Sequence, residues 1–328
     1  MLSKIVIKKL FNLYDYSIDL TNADGSMVKF ITAPNGYGKT TLLDFIYGVM
    51  TGEYQRLLDI PFSELSLVFD NEENKNIVNS VSVSKIISPI ETDKLSDETG
   101  DAVVGLLYSL EEITPSENKL IERFAVSRNP DGKIVQEGSR DNTDMFFVAR
   151  TCHYITDNRF LNIKTDYKEE TLFINHISLK DYVEDMKRIL KDPELKKTYA
   201  SRIDVFKKVI DRCEFANKHI EIDERFGFRF VSHDEFETKL LPDELSSGEK
   251  HMIIQSYEIL FKAQSGSLIM IDEPELSLHM MWQINYLKNL QDMMDNRKFQ
   301  CIVATHSAQI FNSLWSKSVD LFTISSQK

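Results

Sequence analysis

The sequence predicts an α/β protein that combines a buried central sheet, a group of antiparallel strands and a helical segment. Short apolar segments that run into polar turns lie at 27–32, 268–271 and 301–304, and such segments are typical of buried strands. Residues 63–86 alternate between apolar and polar around an Asn/Glu-rich turn, which favours an antiparallel hairpin. From 179 to about 218 the apolar residues recur at helical spacing, with an interruption at Asp192-Pro193.

The composition is that of an ordinary globular protein. The 328 residues are 42% hydrophobic and 27% charged, and no apolar run approaches the roughly 18–20 residues that span a bilayer. The N-terminal residues contain no signal-peptide core, so we expect a cytoplasmic protein with no membrane partner. The cysteines, Cys152, Cys213 and Cys301, are far apart, and we expect buried, reduced thiols.

The net charge argues against a protein that coats nucleic acid through its overall charge. The formal charge is −12, but residues 180–218 hold 11 Lys/Arg and 8 Asp/Glu, which gives +3 there and leaves −15 for the rest. A solvated helix face is the favoured interpretation of this local excess. Contact with DNA is the alternative.

The segment "APNGYGKTT", residues 33–41, matches the phosphate-binding loop G-x-x-x-x-G-K-[ST] except that Ala33 replaces the first glycine. An apolar strand precedes it and a helical pattern follows it, which is the context that such a loop needs. Lys39 can reach the β- and γ-phosphates, and the Thr40 hydroxyl can bind Mg²⁺. The residues predicted to bind the nucleotide in this loop are Asn35, Gly36, Gly38, Lys39, Thr40 and Thr41.

Three later segments follow the phosphate-binding loop in a fixed order. "LPDELSSGEKHMIIQ" places small residues at the start of a helical run, and "GSLIMIDEPELSLH" ends a strand in an acidic pair. "QCIVATHSAQIF" ends the next strand in Thr305-His306-Ser307. The four motifs are very unlikely to occur together in this order by chance.

This set of motifs resembles the ABC-class ATPases, in particular their RecF/SMC-like and OLD-like branch. "LSSGE" resembles the ABC signature L-S-G-G-Q, with departures at Ser247 and Glu249, and "DEPELSLH" resembles the D-E-P-E-x-x-L-H wording of the OLD-like proteins. The resemblance implies an ABC-type P-loop ATPase head with a mixed central sheet, an antiparallel β subdomain and a short helical insertion. We expect the head at 1–170 and 221–328, and the helical lid or insertion at 171–220.

The resemblance also implies roles for individual residues. Asp272 helps Thr40 to hold Mg²⁺, Glu273 polarises the attacking water, and His306 contacts the γ-phosphate of ATP. The residues predicted to act in catalysis are Glu273, His306 and Lys39.

The signature is expected to act across a subunit interface. In ABC-class proteins it closes over ATP bound by a partner, so Ser246 and Gly248 imply a homodimer or a higher homo-oligomer with ATP between the copies. The alternative is an ordinary helix cap, because Ser246 and Glu249 also form an S-x-x-E capping box. The two interpretations are compatible.

Two further assignments stay open. Asn158, beside Arg159 in "CHYITDNRF", lies where relatives place a Q-loop glutamine. Tyr14 and Tyr16 lie where an adenine-stacking residue is expected, but core or hairpin packing explains them equally well.

The resemblance favours an ATP-driven switch, with the nucleotide state read by DNA or by a separate effector. No sustained heptads occur, and the sequence ends about 20 residues after His306 without a nuclease-type carboxylate cluster. We therefore expect the ATPase subunit of a two-component anti-phage defence or DNA-repair complex, with any nuclease on another polypeptide. The alternative is the nucleotide-binding subunit of an ABC transporter.

Overall fold

The computed structural model divides the chain into two units, residues 1–151 with 319–328, and residues 152–318. The residues that the structure describes are 1–70, 77–88, 103–128, 133–138, 152–155, 160–161, 179–240, 244–312 and 314–325. Antiparallel and parallel sheets combine with helices in these residues, which confirms the predicted α/β class.

The first unit contains an extended antiparallel sheet. The strands of this unit are β1 (Leu2–Leu10), β2 (Tyr14–Asp19), β3 (Val28–Thr32), β4 (Glu64–Asp70), β5 (Val78–Ser88), β6 (Val103–Ile113), β7 (Asn118–Arg128) and β8 (Ile134–Gly138). All of them except β3, which precedes the phosphate-binding loop, belong to the antiparallel sheet. The order of strands in the antiparallel sheet is β2-β1-β4-β5-β6-β7-β8.

The predicted hairpin is the β4–β5 pair of this sheet. Alternate residues Leu65, Leu67 and Phe69 of β4 are buried, as expected for a strand with one face in the core. The two strands pair antiparallel, with Leu67 opposite Val81. The predicted turn at 71–76 lies outside the described residues, and so do residues 92–102, whose acidic and polar sequence favours a loop.

The second unit contains the parallel strands. They are β9 (Cys152–Ile155), β14 (Leu268–Asp272) and β15 (Gln300–Thr305), and the short β10 (Phe160–Leu161) pairs antiparallel with β9. β14 lies between β9 and β15 and is parallel to both. Every residue of β14 and β15 is buried, which explains their continuous apolar sequence.

A three-stranded antiparallel sheet and the longer helices complete the second unit. The strands are β11 (Lys218–Asp223), β12 (Gly227–Ser232) and β13 (Lys239–Leu240). The helices are α3 (Leu179–Lys191), α4 (Pro193–Arg212), α5 (Ser247–Tyr257), which continues into a π-helical turn (Glu258–Lys262), and α6 (Met280–Asn296).

The helical segment breaks where the sequence predicts. The Asp192 side chain accepts hydrogen bonds from the backbone N–H groups of Glu194 at 2.9 Å and Leu195 at 3.1 Å, and Pro193 occupies the first turn of α4. The predicted end near residue 218 is wrong, because α4 ends at Arg212. Glu214 then adopts a left-handed conformation (φ 45°), and residues from Lys218 onward form β11 instead.

Helix α4 packs firmly within the second unit. Phe206 of α4 lies 5.7 Å from the ring of Phe228, and 5.8 Å from the rings of both Tyr257 and Phe261. Asp292 of α6 forms ion pairs with Lys208 at 2.9 Å and Arg212 at 2.6 Å. The predicted domain boundaries at 171–220 stay a prediction.

The chain returns to the first unit at its C-terminal end. Strand β16 (Ser318–Asp320) neighbours β3, and the Val319 carbonyl accepts a hydrogen bond from the Thr32 hydroxyl at 3.4 Å. The first unit also holds three helices, α1 (Lys39–Thr51), α2 (Gln55–Asp59) and α7 (Leu321–Ser325). None of the helices in the described ranges has the length and apolar character that crossing a membrane requires. The three cysteine side chains are buried, as predicted.

Candidate functional site

The phosphate-binding loop joins β3 to α1, as the sequence predicts. Gly36 and Gly38 both have left-handed backbones, with φ values of 87° and 84°. A Cβ atom on Gly38 would lie 2.8 Å from Leu10 Cδ2 and 3.2 Å from Phe11 Cε2. Glycine at position 38 is therefore required both by the backbone conformation and by close packing against β1 and the turn that follows it.

The Lys39 side chain folds back along the loop. It is only 5% exposed, and its Nζ donates a hydrogen bond to the Ala33 carbonyl at 3.3 Å. This contact uses the backbone oxygen of Ala33, which alanine and glycine supply equally. Thr40 and Asn35 are exposed, and the N-cap residue of α1 is Gly38, which has no side chain with which to cap the helix. The backbone N–H groups and dipole of this helix end favour an anion.

Aromatic rings hold the other side of the loop. The Tyr16 hydroxyl donates a hydrogen bond to the Tyr37 carbonyl at 2.9 Å, and burial raises the Tyr16 pKa above its usual value. The Tyr14 ring lies 5.7 Å from that of Tyr16 and 5.2 Å from that of Tyr37. Phe322 of α7 contacts the edge of Tyr37 at 5.5 Å. Since Tyr16 is 1% exposed, packing is the interpretation that its geometry supports.

In the second unit, the acidic pair follows β14 directly. Asp272, the last residue of the strand, is 7% exposed. Glu273 has a left-handed backbone (φ 47°), and its N–H donates to the Ala304 carbonyl of β15 at 2.8 Å. Pro274 then begins a short 3-10 helix (Pro274–Ser277). A left-handed backbone is a strained conformation for a glutamate, and such residues cluster at functional sites.

His306 lies beside this acidic pair. Its Nε2 is 3.0 Å from Glu273 Oε1, and the two side chains are 32% and 25% exposed. Its backbone N–H donates to Glu275 Oε1 at 2.6 Å. The two residues meet because β14 and β15 are parallel neighbours, so the residues that follow them leave the sheet at the same edge.

A polar cluster that the sequence does not reveal joins the two turns. The Ser307 hydroxyl donates to Gln283 Oε1 at 2.8 Å, while Gln283 Nε2 donates to the carbonyls of Leu278 at 3.0 Å and Glu275 at 3.4 Å. Gln283 lies on α6, 10 residues beyond Glu273. A lone glutamine in an amphipathic helix gives no signal of such a role.

The signature segment begins α5. Ser246 is the N-cap residue, and its hydroxyl accepts from the Glu249 N–H at 3.4 Å while Glu249 Oε2 accepts from the Ser246 N–H at 2.8 Å. This geometry is the predicted capping box. Ser246 and Ser247 are exposed, and Gly248 is buried.

Glu249, a departure from the signature wording, has a structural partner. Its Oε1 accepts a hydrogen bond from Lys218 Nζ at 2.8 Å, and the two side chains are only 4% and 18% exposed. Burial acts to raise the Glu249 pKa, but the hydrogen bonds from Lys218 and Ser246 outweigh burial and lower it. The glutamate therefore anchors the signature helix to β11 in its charged form.

The Glu249→Gln substitution is expected to reduce the free energy of unfolding by about 1.5–3 kcal/mol at pH 7, since it removes the negative charge that pairs with the largely buried ammonium of Lys218. Adding Lys218→Met to Glu249→Gln should recover most of the loss. Urea unfolding followed by circular dichroism measures the stability of the single and the double variant.

The contribution of Glu249 to stability should depend on pH. Because the folded pKa of Glu249 is lowered, its stabilisation is present above the unfolded pKa and is lost as pH falls through the folded pKa. The difference between wild type and Glu249→Gln should thus shrink in acid; a difference independent of pH would contradict the ion pair.

The residues predicted to bind Mg²⁺ offer suitable donor atoms. Thr40 supplies an exposed hydroxyl and Asp272 a carboxylate, and Mg²⁺ in nucleotide sites is commonly held by few protein oxygens together with phosphate oxygens and water. Within the described ranges, no cluster of three or more His, Cys, Asp or Glu side chains forms a separate metal site. Asn158 and Arg159 lie outside the described residues.

Comparison with protein families gives a match over residues 34–312 to the family described as "AAA domain, putative AbiEii toxin, Type IV TA system". The chain belongs to this family. The match begins at the second residue of the phosphate-binding loop and extends past His306, so it contains the three later motifs and all of that loop except Ala33. For this P-loop ATPase family, nucleotide binding is expected, typically with Mg²⁺. No curated protein matches the chain.

Solved structures with a similar fold are heads of SMC proteins. An SMC head bound to the C-terminal winged-helix domain of ScpA is 13% identical, with a TM-score of 0.49 over 94% of this chain and 90% of the other. The SMC head of Thermotoga maritima is 14% identical, with a TM-score of 0.41 over 95% and 91%. A head with an extended coiled coil, bound to the C-terminal domain of ScpA from Pyrococcus furiosus, is 10% identical, with a TM-score of 0.45 over 94% and 90%.

Proposed function

We propose that the protein binds ATP with Mg²⁺ and hydrolyses it to ADP and phosphate. The phosphate-binding loop carries this proposal, because its two left-handed glycines, its buried lysine and the uncapped end of α1 are together the arrangement that holds a nucleotide's phosphates. Membership of the matched AAA-domain family also supports the proposal.

The roles follow the chemistry of phosphoryl transfer to water. Lys39 neutralises phosphate charge, and Thr40 and Asp272 help to hold Mg²⁺, which stabilises charge on the phosphates when bound. Glu273 accepts a hydrogen bond from the attacking water and orients it, and His306 contacts the γ-phosphate. The Glu273–His306 distance of 3.0 Å supports a joint action of these two side chains.

We further propose that ATP joins two copies of the chain. Ser246 and Ser247 are exposed at the start of α5, where Ser246 is the N-cap residue. Small residues at this helix end permit close approach of a phosphate held by another copy. The two copies associate when ATP is bound and separate after hydrolysis, so the chain acts as a switch. A separate effector, a nuclease or DNA responds to its nucleotide state, in anti-phage defence or DNA repair. The transporter alternative is not favoured by the family match.

The direct test incubates the purified protein with ATP in the presence and absence of Mg²⁺ and measures phosphate release, bound nucleotide and molar mass. Mg²⁺-dependent phosphate release and a mass that doubles with ATP but not with ADP are the expected results. Nucleotide binding without hydrolysis would contradict the enzymatic part of the proposal, and a constant mass would contradict the ATP-joined dimer. Co-purification from the native cells in the ATP-bound state then identifies the effector.

A further inference from the structure

Gln283 occupies a position from which it fixes two turns at once. Its amide N–H group donates to the carbonyls of Leu278 and Glu275, in the segment that follows Glu273. Its amide oxygen accepts from the hydroxyl of Ser307, the residue after His306. Both ends of the amide are therefore engaged, which defines its orientation without ambiguity.

The backbone near His306 is held from two more directions. The His306 N–H donates to Glu275 Oε1 at 2.6 Å, and the Ser307 N–H donates to the Thr305 hydroxyl at 3.0 Å. Thr305 is fully buried, and the Glu273 N–H is bound to Ala304 at 2.8 Å. Backbone hydrogen bonds thus hold the turns of Glu273 and His306 at the end of the sheet. The bond between Gln283 and Ser307 links the same turns to α6.

We propose that Gln283 and Ser307 are positioning residues, which hold the turn of His306 and the turn of Glu273 in the register that brings their side chains within 3.0 Å. This inference rests on the proposed ATPase function for its catalytic consequence, but its geometric part does not. Small displacements of reacting groups cost much in rate, whereas ground-state binding through the phosphate-binding loop does not depend on this register. Substitution of Gln283 or Ser307 should therefore lower kcat and leave the affinity for ATP unchanged.

The opposing interpretation is that the Gln283–Ser307 bond only stabilises the start of α6. A helix-end hydrogen bond of this kind is worth about 1 kcal/mol in the free energy of unfolding, with no selective effect on the chemical step. The two interpretations differ in what Ser307→Ala and Gln283→Met do to kcat in protein that remains folded.

The experiment compares Ser307→Ala, Gln283→Met and the double variant with wild type, using Ser307→Thr as the conservative variant that keeps the hydroxyl. Matched controls are Gln309→Ala in the loop after β15 and Lys288→Gln on α6, both exposed. Steady-state kinetics gives kcat and KM, fluorescent ATP gives Kd, and urea unfolding shows that each variant is folded. Long-range ¹H–¹⁵N NMR of the His306 imidazole, assigned with His306→Gln, reports the contact with Glu273 and needs no hydrolysis.

We expect each single variant to lower kcat by about tenfold with Kd for ATP changed less than twofold. The double variant should be no slower than the slower single variant, since Gln283→Met already removes the hydrogen bond that Ser307→Ala removes. Ser307→Thr should restore kcat to within about twofold of wild type, and the His306 imidazole resonances should shift in the two single variants but not in the controls.

Unchanged kcat and unchanged His306 resonances in both single variants would overturn the inference, as would equal losses in the controls or a double variant that multiplies the single effects. If wild-type protein releases no phosphate while the His306 resonances still shift in Ser307→Ala and Gln283→Met, the proposed ATPase function fails and the positioning role stands. The two failures are therefore distinguishable.

Discussion

Replacement of Lys39 by methionine is expected to abolish measurable ATP binding, with a rise in Kd of at least about 100-fold. Lys39 is 5% exposed and donates a hydrogen bond to the Ala33 carbonyl, so its charge lies against the predicted phosphate-binding loop. An ammonium–phosphate contact in a partly desolvated site is a charge-assisted hydrogen bond, and its removal leaves phosphate charge without compensation. Methionine keeps the length and most of the packing of the lysine stem. Titration with a fluorescent ATP analogue measures the loss.

Lys29 provides a matched control for this experiment. It is also buried (7% exposed) and lies in the same unit on β3, where its Nζ donates to the Thr21 carbonyl at 3.0 Å and to Asn22 Oδ1 at 3.2 Å. Lys29→Met removes a buried ammonium outside the loop, together with its two hydrogen bonds, and should leave the Kd for ATP unchanged. If Lys39→Met bound ATP as tightly as wild type, residues 33–41 would not be the phosphate site.

The elements with strong local signals could be predicted from the sequence. The strand at 268–271 is apolar throughout because both faces of β14 are buried, and its end is marked by acids and a proline. The break at Asp192-Pro193 is equally local, since a side-chain cap and a proline act within one helical turn. The same holds for the Ser246–Glu249 capping box, whose two bonds join residues three positions apart.

Other features depend on contacts between distant parts of the chain. Helical spacing continues past Arg212, but the residues from Lys218 onward form β11 because they pair with β12, so tertiary pairing overrides the helical pattern. The partner of Glu249 is Lys218, 31 residues away, and nothing near either residue indicates the pair. The cluster of Gln283 and Ser307 is hidden for the same reason, since its members are 24 residues apart.

The candidate site also has features that the sequence predicts and features that depend on the folded chain. The sequence identifies Glu273 and His306 through motif wording, and the parallel pairing of β14 and β15 accounts for their proximity. The motif sequences do not reveal which atoms hold these side chains in place. The left-handed conformation of Glu273 and the bond from the His306 N–H to Glu275 are properties of the folded turns. The catalytic roles of Glu273, His306 and Lys39 stay predictions, and the Glu273 variant tests the chemical step most directly.

Glu273→Gln is expected to lower kcat for ATP hydrolysis by about 100- to 10,000-fold while leaving the Kd for ATP near the wild-type value. Glutamine has the size of glutamate and keeps an oxygen that can face His306 Nε2, so the turn should not rearrange. It loses the negative charge with which the carboxylate polarises water. Single-turnover phosphate release measures the chemical step separately from product release. Glu235→Gln, an exposed change in the same unit, is the matched control and should hydrolyse ATP like wild type.

The same variant separates ATP binding from ATP turnover as the cause of association. If bound ATP joins two copies, Glu273→Gln should remain dimeric for as long as ATP is bound, whereas Lys39→Met should remain monomeric at every ATP concentration. Light scattering after gel filtration distinguishes the two masses. A Glu273→Gln protein that hydrolyses ATP at the wild-type rate would remove this residue from the chemical step. A Glu273→Gln protein that holds ATP as a monomer would instead confine the nucleotide to one chain and leave the exposed serines of the signature without their proposed role.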